Sequence, residues 1–170
     1  MKLVPALLLL LTTVAVAQTA TPKLPADVIT ALNQAFPGWK AAPIDLEVQQ
    51  ENKDAWILAR RGFVSGDFDG DGRLDYALML LHPRDRGIEE QVAVAYLNTK
   101  SGWQQHLLEG FSPMSSTYLT LSRRGETCYD VDKEEHFKCP NDVVNLIYSG
   151  KAGVTYIFKS GKFEKIISAD

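Results

Sequence analysis

Histidine, cysteine and positive charge are scarce in this chain of 170 residues. It has two cysteines, three histidines and a formal net charge of −3. His82, His106 and His136 lie far apart, and the sequence contains no Gly-x-Ser-x-Gly motif and no phosphate-binding glycine loop. An acidic chain without a basic cluster is poorly suited to nucleic acid, so we expect no nucleic-acid partner. We also expect a protein that is not an enzyme, although a hydrolase site assembled only by folding stays open.

No apolar run long enough to cross a membrane follows the first 17 residues. Residues 1–17 combine Lys2 with an apolar stretch and small residues at Ala15 and Ala17, which is typical of a secretory signal peptide cleaved before Gln18. The apolar run is itself shorter than the roughly 20 residues of a spanning helix. We therefore expect a periplasmic or secreted protein without stable membrane insertion after cleavage. An uncleaved membrane anchor is the alternative.

The chain that remains after cleavage is more acidic. Loss of residues 1–17 removes Lys2 and no acid, which leaves 17 basic and 21 acidic residues and a formal charge of −4. About 150 residues suffice for one domain with its own core. We expect a flexible tail over residues 18–24 and a single β-rich domain over residues 25–170.

Hydrophobic periodicity predicts an α+β fold, mainly an antiparallel β meander with one N-terminal helix. Over residues 25–36 apolar residues recur at helical spacing, and Pro37 and Gly38 then end the helix. Two apolar runs, residues 76–81 and 92–97, are too short for helices, so they are predicted to be central strands buried on both faces.

The other predicted strands are shorter or alternate between apolar and polar residues. They cover residues 44–50, 55–59, 62–65, 103–108, 118–121, 143–148, 154–159 and 162–167. Residues 118–121 are predicted to form an edge strand, and Ser160 with Gly161 a tight hairpin turn. Trp39, Trp56 and Trp103 lie in or beside apolar segments, so we expect core packing rather than a sugar-binding platform.

Carboxylates at alternate positions carry the clearest chemical signal. Asp67, Asp69 and Asp71 can all point inward if the backbone curls around one hard cation, and Ca²⁺ takes about six to eight oxygen ligands. The sequence therefore predicts one calcium site in the loop over residues 67–75. An acidic surface turn without an ion is the alternative.

The rest of the loop supplies a turn residue and two further ligands. Gly72 occupies the sixth position, where the sharp turn needs a residue without a Cβ, and the backbone carbonyl of Arg73 can then face the metal. Asp75 closes the ring, directly or through water. The twelfth position is Leu78 instead of the glutamate that an EF-hand requires, so the helix–loop–helix form of the site is excluded.

With predicted strands on both sides, this loop resembles the calcium turn of FG-GAP and VCBS-type repeats, which occur in integrin-like propellers and in many secreted bacterial proteins. The matching positions are Asp67, Asp69, Asp71 and Asp75 as side-chain ligands, Arg73 as the carbonyl ligand, and Phe63 with Gly66 upstream. The resemblance covers roughly 20 residues and implies calcium binding in a β-hairpin. It does not imply a propeller, because the chain contains no second copy of the motif.

The two cysteines, Cys128 and Cys139, are predicted to form a structural disulfide. Export to an oxidising compartment favours pairing, and a bridge of this span stabilises a small domain by about 3 kcal/mol. A metal site formed by Cys128, His136 and Cys139 is the alternative, but a closed zinc site needs a fourth ligand and none is evident nearby.

These features favour an exported calcium-binding module that binds an extracytoplasmic protein or glycan, with the ion in a mainly structural role. Calcium affinity is expected in the weak extracellular range, about 0.1 to 1 mM. The candidate contact loops are residues 83–90 and 112–117. A periplasmic inhibitor or immunity protein against an envelope enzyme is the first alternative, and a small secreted hydrolase is the second.

Overall fold

The computed structural model describes residues 23–45, 48, 63–84 and 87–169. The predicted signal peptide, most of the predicted tail, the predicted strand over residues 55–59 and Trp56 lie outside these described residues. Among the described residues, no helix is long and apolar enough to cross a membrane.

One helix, α1 (Ala26–Ala35), precedes the strands. Pro25 lies at its N-cap, and the negative charge of Asp27 in the first turn is favourable near the positive end of the helix dipole. Val28 and Leu32, four residues apart, are completely buried, as the periodicity predicts. The helix ends as the amide of Phe36 donates a 2.8 Å hydrogen bond to the carbonyl of Leu32.

The first sheet contains the segments on either side of the aspartate loop. Its strands are β1 (Lys40–Ala41), β2 (Phe63–Gly66), β3 (Asp75–Pro83), β4 (Glu89–Thr99) and β5 (Gly102–Phe111). Their order is β1-β3-β4-β5, with β2 also paired to β3, and every pairing is antiparallel. The aspartate loop is therefore the connection of the β2–β3 hairpin.

The second sheet and a separate hairpin form from the rest of the chain. The sheet has the order β11 (Lys162–Ala169), β10 (Ala152–Lys159), β9 (Val143–Tyr148) and β6 (Thr117–Ser122), and the hairpin pairs β7 (Thr127–Asp130) with β8 (Glu135–Lys138). All these pairings are antiparallel as well. Ser160 and Gly161 connect β10 and β11 with φ angles of 52° and 84°, which confirms the predicted turn.

The first sheet lies between the helix and the second sheet. One core cluster joins Val28 and Leu32 of α1 to Leu78, Val92 and Val94 of the first sheet. A second cluster lies between the sheets, with these buried members: Val64, Phe68, Ala77, Met79, Ala93, Ala95, Leu97, Leu119, Val144, Leu146, Val154 and Tyr156. Strands β3 and β4 are therefore buried on both faces, as their continuous apolar runs predict.

Two details of the fold differ from the prediction. The meander is divided between two sheets, because β6 pairs with β9 and not with β5. The predicted strand over residues 44–50 is wrong in its described part, since Ile44 and Asp45 lie outside any strand and Val48 is helical. Trp39 and Trp103 pack against the core cluster beside α1, which confirms their predicted place in the core.

Candidate metal centre

Three of the predicted ligands come together in the β2–β3 connection. One carboxylate oxygen from each of Asp67, Asp69 and Asp71 lies within 4.8 Å of the others. Calcium–oxygen distances are about 2.3 to 2.6 Å, so two ligands of one ion lie at most about 5 Å apart. The three carboxylates therefore have the spacing of a shared cation site.

The loop is curled by its own aspartates, which accept hydrogen bonds from backbone amides two to five residues further on. The amide of Asp71 donates to Asp69 Oδ1 at 3.0 Å, and the amide of Arg73 donates to Asp71 Oδ1 at 2.9 Å. The amide of Gly72 donates to Asp67 Oδ2 at 3.1 Å. These bonds turn successive amides toward the carboxylates, and Gly72 adopts the positive φ of 85° that the turn requires.

One carboxylate oxygen in the cluster has no partner. Asp67 Oδ1 is buried from solvent and accepts no hydrogen bond from any described residue. A buried carboxylate oxygen without a donor carries the full cost of its lost hydration. A cation bound between Asp67, Asp69 and Asp71 would supply the missing partner, so the donor set fits a hard, oxygen-binding metal ion.

Electrostatics in the loop favour a cation. Burial raises the pKa of Asp69, and the charges of Asp71 and Asp67 raise it further, while a hydrogen bond from the Asp71 amide opposes both effects. The guanidinium of Arg73 pairs with Asp71 Oδ2 at 3.0 Å on the exposed side of the loop. Among the described residues, Arg73 is thus the only positive side chain paired with the three clustered carboxylates.

Asp75, the fourth predicted carboxylate ligand, lies outside the group of three. It is completely buried, and its two oxygens accept hydrogen bonds from the amides of Phe68 and Asn98, both at 2.8 Å. Burial raises the pKa of Asp75 to about 6, against the lowering effect of both hydrogen bonds. Its predicted contact with the metal, direct or through water, stays a prediction, as does the carbonyl contact of Arg73.

Two residues distant in sequence support the loop and escaped the sequence analysis. Asp142 Oδ2 accepts a 3.2 Å hydrogen bond from the amide of Asp67, and the side-chain amide of Asn141 donates at 3.2 Å to the carbonyl of Phe68. Asn141 and Asp142 follow Pro140 and have the composition of an ordinary turn. No local pattern indicates that they contact a loop about 75 residues earlier in the chain.

The loop is also attached to the core by an aromatic side chain. Phe68 is completely buried, and its ring lies 6.5 Å from the ring of Phe163 on β11, measured between centroids. Phe163 in turn contacts Phe158 and His106. The ring of His106 packs against Phe158 and Phe163 between the two sheets, and this burial lowers its pKa.

The cysteines form the predicted bridge. Cys128 on β7 is bonded to Cys139 just after β8, with their Cα atoms 5.5 Å apart. The alternative metal site of Cys128, His136 and Cys139 is wrong, because both sulfur atoms are used in the disulfide. The ring of His136 instead lies against Tyr129 on the facing strand, 4.5 Å between centroids.

A groove of about 400 Å³ lies between the β7–β8 hairpin and the second sheet. Its apolar side chains include Phe137, Ile157 and Ile166, and its charged side chains include both acidic and basic residues. The described residues that line it include no histidine, serine or cysteine. The groove therefore offers no nucleophile–histidine pair for the hydrolase alternative.

Comparison of the chain with known protein families, with curated proteins and with solved structures finds no match.

Proposed function

We propose that this protein is an exported calcium-binding module whose β2–β3 loop is of the FG-GAP and VCBS type. The observation that carries this proposal is the buried, unpartnered oxygen of Asp67 beside the carboxylates of Asp69 and Asp71. A lone acidic turn on a surface keeps its oxygens hydrated, whereas this oxygen has no water access and no donor in the part of the chain that the structure describes.

Calcium suits the loop better than magnesium or zinc. All predicted ligands are oxygens, which excludes a preference for zinc. The loop offers three carboxylates and the carbonyl of Arg73, and Ca²⁺ tolerates an irregular set of this kind, whereas Mg²⁺ demands a near-ideal octahedron and keeps several waters. We therefore expect the loop to bind Ca²⁺ more tightly than Mg²⁺.

The proposed role of the ion is structural. The loop connects β2, a strand of four residues, to β3 in the centre of the molecule. Without a cation the three carboxylates repel one another, and binding would remove this repulsion and hold the hairpin connection in its curled form. At about 1 mM calcium, a dissociation constant of about 0.1 mM gives roughly nine-tenths occupancy and one of about 1 mM gives roughly half.

Calorimetric titration with calcium tests the proposal. The purified protein is expected to bind one Ca²⁺ per chain, and Asp69→Ala to abolish the signal. Asp132→Ala is the matched control, because Asp132 is an exposed acid in the β7–β8 turn whose side chain accepts no hydrogen bond among the described residues. The calcium site would be refuted if the wild type gave no heat on titration, or if Asp69→Ala gave the same heat as the wild type.

The partner is proposed to be an extracytoplasmic protein or glycan that contacts residues 83–90. Ile88 in this loop is 62% exposed, although it is a large apolar side chain. The other candidate loop, residues 112–117, is held to the body of the protein: the amide of Met114 donates to Gln91 Oε1 at 2.6 Å, and Thr117 is buried. An exposed apolar side chain on a loop favours residues 83–90.

Capture from an envelope extract distinguishes the partner classes. Wild-type protein and Ile88→Ser are immobilised separately, and each is exposed to the extract with calcium and with a chelator. We expect one protein or glycan to be captured in stoichiometric amount by the wild type and to be absent from the Ile88→Ser eluate. If that partner is an enzyme whose activity the protein blocks, the inhibitor alternative is correct, and equal capture by both variants excludes residue 88 from the contact.

A further inference from the structure

We propose that the aspartate loop and the Cys128–Cys139 bridge are thermodynamically coupled through Asp142, so that the oxidised bridge strengthens calcium binding. This inference rests on the calcium site proposed above and adds a form of regulation to it. Asp142 contacts both structures: its carboxylate binds the loop on one side and the turn that precedes the bridge on the other.

The contact between Asp142 and the loop is reciprocal. The amide of Asp67 donates to Asp142 Oδ2 at 3.2 Å, and the amide of Asp142 donates to the carbonyl of Asp67 at 3.2 Å. Asp67 is the residue whose second carboxylate oxygen is buried without a partner. The backbone that positions this ligand is therefore fixed by Asp142, which acts on the metal site as a positioning residue.

The other side of Asp142 holds the turn over residues 123–126. Arg123 Nη1 donates to Asp142 Oδ2 at 2.8 Å, and the amide of Arg124 donates to Oδ1 at 2.9 Å. The Asp142 side chain is only 13% exposed, whereas the Arg123 side chain is 59% exposed, so these charge-assisted bonds join a largely buried carboxylate to a turn at the surface. The carboxylate thus has fixed partners in two separate segments.

The same turn is bound to the disulfide. The amide of Gly125 donates to the carbonyl of Cys139 at 2.9 Å, and the amide of Cys139 donates to the carbonyl of Glu126 at 3.0 Å. Cys139 precedes Asp142 by three residues, and the bridge fixes it to Cys128 on β7. Opening the bridge releases Cys139 from β7 and weakens the frame that orients Asp142.

The aspartate loop and the segment of residues 141 and 142 are in close contact and have no room to move independently. A Cβ on Gly66 would lie 2.7 Å from Asp142 Oδ2, and a Cβ on Gly70 would lie 2.6 Å from Asn141 Oδ1. Both positions are glycine, so the backbone of the loop rests directly against residues 141 and 142. A displacement of this segment therefore changes the loop, and a change in the loop displaces the segment.

Coupling of this kind acts in both directions. If the oxidised bridge raises calcium affinity by some factor, bound calcium must make the bridge harder to reduce by the same factor. Dithiothreitol supplies the two electrons and two protons that convert the bridge to two thiols, and it becomes a cyclic disulfide. The reduction equilibrium can thus be measured in saturating calcium and in a chelator.

The first test compares calcium affinities by calorimetry. We expect Asp142→Ala to weaken binding about tenfold, the usual effect of losing a residue that orients a metal ligand. Asn141→Ala, which removes one neutral hydrogen bond, should weaken it about threefold and serves if Asp142→Ala does not fold. Asp132→Ala removes an equal charge from the β7–β8 turn and should leave the affinity unchanged.

The second test uses the wild-type chain alone. We expect reduction of the bridge to weaken calcium binding about fivefold, and saturating calcium to shift the dithiothreitol equilibrium toward the disulfide by the same factor. Equal calcium affinity of the oxidised and reduced proteins overturns the coupling and leaves the calcium site intact. Normal binding by Asp142→Ala and Asn141→Ala overturns the route through Asp142. Absence of calcium binding by the oxidised wild type overturns the calcium site and the coupling with it.

Discussion

The amide of Phe68 donates a 2.8 Å hydrogen bond to Oδ2 of Asp75, seven residues later in the chain. The two residues lie at opposite ends of the aspartate loop, and both are completely buried. The same carboxylate accepts a hydrogen bond from the amide of Asn98 on β4 through its other oxygen. Asp75 therefore closes the loop from the interior and attaches it to the first sheet, whether or not an ion is bound.

Asp75→Ala is expected to lower the free energy of unfolding in a chelator by about 2 kcal/mol, because two buried amides lose their acceptor and the relief of a buried charge offsets only part of this cost. The measurement is urea unfolding at pH 7. Asp71→Ala is the control, since Asp71 lies at the exposed surface of the same loop and its loss should change stability by less than about 0.5 kcal/mol. Equal losses in the two variants would contradict the anchoring role of Asp75.

Gly70 and Gly72 provide a matched pair for measuring how tightly Asn141 fits against the loop. Both have positive φ, 79° and 85°, so alanine at either position is strained by about 1 kcal/mol. A Cβ at Gly72 meets nothing within 4 Å, whereas a Cβ at Gly70 displaces Asn141 and its bond to Phe68. Urea unfolding should show that Gly70→Ala is less stable than Gly72→Ala by about 1 kcal/mol. Identical stabilities would show that Asn141 moves away without cost.

Glu109 connects the two sheets at a point away from the aspartate loop. Its Oε2 accepts hydrogen bonds from Tyr156 Oη at 2.8 Å and from the ammonium of Lys165, both on the second sheet. Glu109→Gln is expected to lower the free energy of unfolding at pH 7 by about 1 kcal/mol, because the bonds lose their charged acceptor. Glu164→Gln, an exposed change on β11, should have little effect, and an equal effect of both changes would exclude a specific contribution of Glu109.

The stabilising effect of Glu109 depends on pH. Burial of its carboxyl acts to raise the pKa, but the hydrogen bonds from Lys165 and Tyr156 and the charge of Lys165 outweigh burial and lower the pKa below its usual 4.5. A lowered folded-state pKa contributes stability above the unfolded value, and this contribution is lost as pH falls through the folded value. The difference between wild type and Glu109→Gln should therefore shrink between pH 5 and pH 3. A difference that grows in acid would contradict this assignment.

The local elements of the fold were predictable because neighbouring residues determine them. Val28 and Leu32 stand at helical spacing, and Ser160 with Gly161 have the composition of a two-residue turn. The strand over residues 44–50 was predicted from partial alternation, but Ile44 and Val48 both belong to the cluster around Tyr118. Ile44 lies outside any helix or strand and Val48 is helical, so partial alternation alone did not identify the element.

The division into two sheets was not predictable from the pattern of the chain. Strand β6 pairs with β9, from Thr117 opposite Tyr148 to Ser122 opposite Val143, and the β7–β8 hairpin lies between them in sequence. The choice between β5 and β9 as the neighbour of β6 depends on how whole faces pack. Alternation in a single strand does not contain that information.

The candidate site was likewise predictable only in part. Regular spacing identified Asp67, Asp69 and Asp71, because each position depends on the curl of one short loop. Asp142 contacts Asp67 across 75 residues, and only the folded chain brings the two together. A residue that supports the aspartate loop from another part of the chain leaves no trace in the motif itself.

Because β3 is buried on both faces, the two ends of the aspartate loop are not held equally firmly. At one end the loop joins a nine-residue strand between β4 and the strands β1 and β2. At the other end it joins β2, whose four residues pair only with β3 among the described strands. We therefore expect opening of the connection to begin on the β2 side, and calcium to slow the exchange of amides that join β2 to β3 more than of amides that join β3 to β4. The ion would then govern a local opening event at one strand, while global unfolding remains controlled by the core.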